Sequence, residues 1–173
     1  MNKVLFREEQ QFRLWWQILL VTGSTVPAMI IIIYTLIQQN VKGVPVGRSP
    51  EPLVVLIVAL ITLIISLWVY FSLKLEVWIE KDGIHYRFFP IISKNKFISK
   101  AEIQRYEIRQ FKANWEYGGR GVRSGFLRKW GKALIVNGNT GLQLYLRNGK
   151  KILFGTQRSQ AIIYAMNEMM KDN

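Results

Sequence analysis

A chain of 173 residues with no cysteine, a single histidine and a formal net charge of +13 can hold no disulfide, no thiolate metal centre and no cysteine nucleophile. Half of its residues are hydrophobic, but they concentrate in the first 73 positions, and the rest suffices for one small domain with its own core. That domain carries nineteen Lys and Arg against eight Asp and Glu, a balance suited to nucleic acid, an acidic partner or an anionic lipid leaflet.

Residues 1–13 are polar and mixed in charge, and read as an interfacial lead-in. Residues 14–38 and 53–73 contain no Asp, Glu, Lys, Arg or His. As helices they reach roughly 37 and 31 Å, enough for a hydrocarbon core of about 30 Å. A transmembrane helical hairpin over 14–73 is therefore predicted, since only a helix satisfies its own backbone in lipid. The first run is too long for a signal-peptide core, and no A-x-A site follows it. Its Gly23, Ser24, Thr25 and Pro27 predict a kink near Gly23 and a close approach to the second span or a partner. Residues 39–52, with Gly43, Pro45, Gly47, Pro50 and Pro52, read as a short loop outside the cell. Lys3, Arg7 and Arg13 before the spans, and Lys74, Lys81 and Arg87 after them, outnumber Lys42 and Arg48 in the loop. Both termini are thus expected in the cytoplasm. Trp15, Trp16 and Trp68 are expected to anchor one membrane interface.

From Lys74 onward the periodicity becomes that of strands. Residues 75–80 and 84–89 flank Lys81-Asp82-Gly83, a hairpin signal. Residues 97–111 read as one or two strands, with a possible helical turn over 101–105. Residues 114–125, with four glycines, read as a loop or irregular bend. Residues 133–137 resume as a strand that Asn137-Gly138-Asn139-Thr140-Gly141 turns back. Leu142, Leu144 and Leu146 then alternate with Gln143, Tyr145 and Arg147, as on a half-buried strand. Asn148-Gly149 predicts a type I′ turn into 150–155. Ile162, Ala165, Met166, Met169 and Met170 mark one helix face, expected to pack in the core. The fold class is α+β: a transmembrane hairpin, then a small antiparallel β-barrel capped by an amphipathic helix.

Tyr117-Gly118-Gly119-Arg120-Gly121-Val122-Arg123, Asn137-Gly138-Asn139-Thr140-Gly141-Leu142, Gly149 and Gly155-Thr156-Gln157 resemble a family of bacterial membrane proteins with a PH-like domain. In that family two spans precede the barrel, and Arg120 stands where an aromatic is common. The resemblance covers residues 74 to about 171, or the whole chain with the hairpin. It implies a PH-like domain over 74–173, a place in the bacterial cytoplasmic membrane, and an interaction or regulatory role.

Eleven bases against three acids fall between residues 94 and 132, the strongest candidate surface. Arg120, Arg123, Arg128, Lys129 and Lys132 are its proposed contact residues. The turn glycines Gly118, Gly119 and Gly121 offer backbone amides for an anion-binding concavity beside Arg120 and Arg123. Trp115, Tyr117, Phe126 and Trp130 interleave with the bases, a pattern that beside lipid fits interfacial insertion. No nucleic-acid partner is expected. G-x-G-x-x-G begun at Gly119 fails at Ser124, so no nucleotide fingerprint exists. His85 lies between Ile84 and Tyr86 with no adjacent carboxylate pair, and reads as a strand residue rather than a base or ligand. Neither catalysis, a cofactor nor a metal is expected. The function read from the residues is docking on anionic membrane lipids or an acidic membrane-protein partner. The alternative is an accessory or adaptor subunit of a larger membrane complex, and a membrane-protein partner or a homo-oligomer is expected.

Overall fold

Long uncharged apolar stretches fold as helices, which satisfy their own backbone hydrogen bonds, and both stretches here do so despite many β-branched residues. A computed structural model describes residues 4–12, 15–47, 51–125 and 130–171. Helix α1 (Trp15–Leu36) ends in one π-helical turn (Ile37–Val41), and α2 spans Leu53–Ser72. Both are long and apolar enough to cross a membrane, and of their described residues only Thr35 and Leu56 are buried. Helix α1 runs through Pro27, with the Thr22 and Thr25 hydroxyls donating to the carbonyls of Ile18 and Val21 at 2.7 and 2.6 Å. A Cβ on Gly23 would meet no atom within 4 Å, so this glycine does not serve a close approach within the chain.

The chain divides into two compact units, residues 12–72 and a second formed by the segments flanking them. The leading segment is not the interfacial tail its polarity predicts. Strand β1 (Phe6–Gln11) pairs antiparallel with β2 (Lys74–Glu80), from Phe6↔Ile79 to Gln11↔Lys74. The residues before α1 and those after α2 are therefore neighbours in one sheet. Phe6, Glu8 and Gln10 are buried while Arg7 and Glu9 are exposed. The Glu8 carboxylate is held at Oε1 by the backbone N–H of Gln157 (2.9 Å) and the Gln10 amide (3.0 Å). Its Oε2 accepts the Thr156 hydroxyl at 2.5 Å.

Two sheets replace the expected closed barrel. The first has the order β1-β2-β3-β4, with β3 over Gly83–Phe89 and β4 over Ile92–Ser99. A 3-10 turn (Lys100–Glu102), capped by the Ser99 hydroxyl, leads into β5 (Ile103–Gln110). The run read as one or two strands is thus two. The second sheet has the order β5-β8-β9-β7-β6, with β6 over Gly121–Ser124, β7 over Lys132–Ile135, β8 over Thr140–Leu146 and β9 over Lys151–Gly155. Residues 137–141 therefore do not join neighbouring strands. Strand β9 returns along β8 and takes the place beside β7, and the β7–β9 pair is parallel. The β8–β9 turn also differs from type I′, which needs φ > 0 at both central residues. Gly149 has φ 76° and, among the described residues, none other than glycine has positive φ; the Gly149 N–H donates to Leu146 O at 2.9 Å, leaving Arg147 and Asn148 at the centre.

Helix α4 (Ser159–Lys171) buries Ile162, Ala165, Met166 and Met169 and packs on β1, β2, β5 and β8. Met166 and Met169 of the methionine stripe are core, and Met170 is half-buried. Leu75, Ile79, Ile84, Phe88, Leu134, Leu142, Leu144 and Phe154 are fully enclosed. Gln143, placed by alternation on a polar face, is buried as well, because a second cluster of Phe111, Ala113, Tyr117, Ala133, Ile135 and Leu153 covers that face.

On the outer face of the first sheet, Glu76 lies opposite both Glu9 and Arg87. Arg87 Nη2 reaches Glu76 Oε2 at 2.7 Å, and Lys74 Nζ reaches Oε1 at 2.7 Å. Burial pushes the Glu76 carboxyl up, but the bonds from Lys74 and Arg87 outweigh it and hold it below the ordinary range. The hydrogen bonds from Lys74 to Glu76 and Glu9 raise the lysine. Ionised Glu76 therefore stabilises the fold above the ordinary carboxylate range, and this contribution is lost as pH falls through its folded value. The raised Lys74 contributes fully below the ordinary lysine range and loses its contribution as pH rises through its own folded value. Urea unfolding against pH should show the acid loss, and Glu76→Gln should flatten it while lowering stability at neutral pH by about 1–2 kcal/mol.

Candidate functional site

The base-rich segment is built around Arg109, whose charge is already spent. Its Nη1 donates to Glu116 Oε2 at 2.7 Å, its Nη2 to the Tyr117 hydroxyl at 2.8 Å, and its Nε to Gln143 Oε1 at 3.1 Å. The guanidinium also lies 5.1 Å from the Trp130 ring centroid. Arg105 is paired with Glu107, whose carboxyl is held below the ordinary range by the Tyr145 hydroxyl and then by Arg105. A count of eleven bases therefore overstates the charge offered to a ligand.

Residues read as a loop contain the one-turn helix α3 (Ala113–Tyr117). Glu116 Oε1 accepts the Lys112 backbone N–H at 2.8 Å, and Gly118, left-handed at φ 68°, ends the helix. The Gly118 N–H donates to Asn114 O at 3.2 Å and that of Gly119 to Ala113 O at 3.0 Å. Gly121 starts β6 opposite Ile135. The amides of Gly118 and Gly119 are thus consumed in closing the turn, not presented as an anion concavity.

Side chains remain. Arg120 is half-buried; its carbonyl accepts Arg123 Nε at 3.0 Å, and its own Nε has no hydrogen-bond partner among the described residues. It borders a cleft of about 250 Å³ together with Lys112, Asn114, Trp115 and Asn139. Two cations and two amides around one small opening suit a phosphate-type anion. Trp115, 86% exposed, is an unpacked aromatic at its rim. Tyr117 is buried and Trp130 packs on the outer cluster, so of these three aromatics Trp115 alone is free to meet a surface; Phe126 lies outside the described residues.

Strand register separates the remaining candidates. Arg123 pairs with Ala133 and Ser124 with Lys132, so alternation sends Arg123 and Lys132 to opposite faces. Lys132 borders a different cleft, about 790 Å³, shared with Tyr86, Glu102, Lys150 and Lys151. Burial, and then the charge of Lys96, lowers its ammonium pKa. Arg128 and Lys129 lie outside the described residues. Trp15 and Trp16 open α1 and Trp68 stands in the last turns of α2, all three exposed.

His85 is less isolated than its strand position implies. The β2–β3 turn brings Glu80 and Asp82 to it, with one ligand-capable atom of each of the three within 4.8 Å of the others. The signal is local, Glu80-x-Asp82-x-x-His85, and becomes visible once the hairpin register is drawn. No protein-family profile and no curated protein matches this chain.

Proposed function

We propose that the protein is a two-span membrane protein whose α+β domain, PH-like in kind, faces the cytoplasm and docks without catalysis on anionic lipid headgroups. The observation that carries this reading is the cleft of Lys112 and Arg120 with exposed Trp115 at its rim, in a domain whose sequence is interrupted by two helices apolar enough to span a bilayer. Cations take headgroup phosphates while the indole enters the interface. Arg123, exposed and bonded to the Arg120 backbone, extends that surface; Lys132, on the opposite face, does not. Two sheets packed with a terminal helix support the PH-like reading.

Co-sedimentation with vesicles containing phosphatidylglycerol tests the docking, using a soluble form in which a short turn replaces residues 12–72. Replacing Lys112, Arg120 and Arg123 by Gln should weaken binding roughly 100-fold, at about 1 kcal/mol per base, and Lys132→Gln should change it little. Absence of binding at low salt would end the lipid reading. Sidedness is testable because the chain lacks cysteine: Gly47→Cys should react with an impermeant maleimide on intact cells, and Asn148→Cys should not.

A second reading, an adaptor within a membrane complex, is favoured by the open edge strand β4. It has a largely exposed face and carries exposed Phe97, an arrangement open to strand addition. Native mass spectrometry after mild extraction distinguishes it by a stoichiometric protein partner.

A further inference from the structure

We propose that Glu80, Asp82 and His85 form a binding site for a divalent transition-metal ion such as Zn²⁺. The sheet register places the donors together. Trp78 pairs with His85, and Glu80 with Gly83, so Glu80 shares the Trp78 face and lies diagonal to the imidazole. Lys81 and Asp82 form the two-residue connection, which sets Asp82 beside both. The three ligand atoms lie within 4.8 Å of one another.

The imidazole is held between two aromatic rings. Its ring stacks on Trp78 with centroids 5.2 Å apart and planes 3° from parallel, and Phe97 meets its other side at 4.5 Å. Its Nε2 is shut off from solvent and has no hydrogen-bond partner among the described residues. The nearest carboxylate oxygen, Glu80 Oε2, is 3.9 Å away, beyond hydrogen-bond range. An unpartnered ring nitrogen beside two carboxylates, on a side chain 23% exposed, is an arrangement that an ion fits. Ligand atoms on a shared Zn²⁺, each about 2.1 Å from it, stand roughly 3.4 Å apart in tetrahedral geometry. Glu80 and His85 need close by only about half an ångström, and Asp82, exposed on the turn, supplies the remaining movement.

Donor chemistry selects the class of ion. One imidazole nitrogen with two carboxylate oxygens is a borderline set, suited to Zn²⁺, Mn²⁺ or Fe²⁺ rather than to all-oxygen Ca²⁺ or thiolate-bound Cu⁺. Water completes the coordination. The ion would clamp the end of the β2–β3 hairpin by joining two residues of one strand end and turn to the returning strand.

The full chain, purified in detergent without a histidine tag and stripped with chelator, is titrated with Zn²⁺ by calorimetry. Because His85 is the only histidine, the imidazole nitrogen resonances report on this site alone. One-to-one saturable binding is expected, with the Nε2 resonance moving in step. Glu80→Gln and His85→Phe, the latter keeping an aromatic ring between Trp78 and Phe97, should each weaken binding at least about 100-fold. Asp82→Asn, on the exposed turn, is the variant least able to disturb folding and should weaken it too. The proposal is overturned if no saturable binding occurs, if the imidazole resonances stay still while Zn²⁺ binds, or if all three variants bind as the parent does.

Discussion

A chain that begins at Leu73 should fail to unfold cooperatively, whereas residues 1–11 joined to Lys74 through a two-residue Asn-Gly turn should melt in a single transition. The difference lies in β1, which contributes half of one ladder on β2 from Phe6↔Ile79 to Gln11↔Lys74. Without it Phe6 is gone from the core, a loss of about 1.5–3 kcal/mol. The Gln157 N–H and the Thr156 hydroxyl lose the Glu8 carboxylate, and unsatisfied buried groups cost about 1–3 kcal/mol each. The Gly155 carbonyl also loses the Gln10 amide, which donates to it at 2.8 Å. Those losses together approach the 5–15 kcal/mol that holds a typical domain together. The joined form is feasible because Gln11 and Lys74 are already register partners, and a two-residue connection suits antiparallel neighbours. Circular dichroism melts of the two forms decide the matter. Equal cooperativity would show that β1 is an accessory.

Gly131→Ala is the second change with a large expected effect. Gly131 sits at φ 74°, and a Cβ there would stand 2.2 Å from the Lys151 carbonyl oxygen and 2.7 Å from its Cβ. The obstacle is backbone, on the strand that pairs in parallel with β7 from Lys132↔Ile152 onward. Relief requires moving β9 off β7, so the left-handed strain and the clash add to about 3 kcal/mol or more. Gly118→Ala supplies the control. Its φ is 68°, but a Cβ there meets nothing within 4 Å, and only conformational strain of about 1–2 kcal/mol is expected. Chemical denaturation of both variants measures the gap. Equal losses would mean that β9 yields without cost.

The helices and the local hairpins were legible because their signals are local. Charge-free runs specify α1 and α2, and Asp82-Gly83 with apolar flanks specifies β2–β3. The methionine face of α4 follows from its spacing. Strand β1 was not legible. Its buried face is Phe6-Glu8-Gln10, so the period-two signal is polar inside, and the partners that make this tolerable lie more than a hundred residues away at Thr156 and Gln157. The parallel β7–β9 pair was equally hidden, since turn residues report where a chain reverses and not which strand it finally joins. Gln143 misled for a related reason: its face is covered by Phe111 and α3, a long-range effect that alternation cannot register. At the candidate site, base density was visible, but the pairing of Arg109 with Glu116 and the consumption of the Gly118 and Gly119 amides were not. The approach of Glu80 and Asp82 to His85 was within reach, because it needs only the hairpin register.

The pairing of β1 with β2 also sets a schedule for how the protein comes into being. Phe6 and Ile79 are neighbours in space, yet about seventy residues of chain must be made between them, several seconds of work at typical ribosomal speeds of about 5–20 residues per second. Throughout that interval the first strand has no template, and its Glu8 and Gln10 stay at ease in water where an apolar strand would invite aggregation. Completion of the sheet thereby waits until both intervening helices have been made.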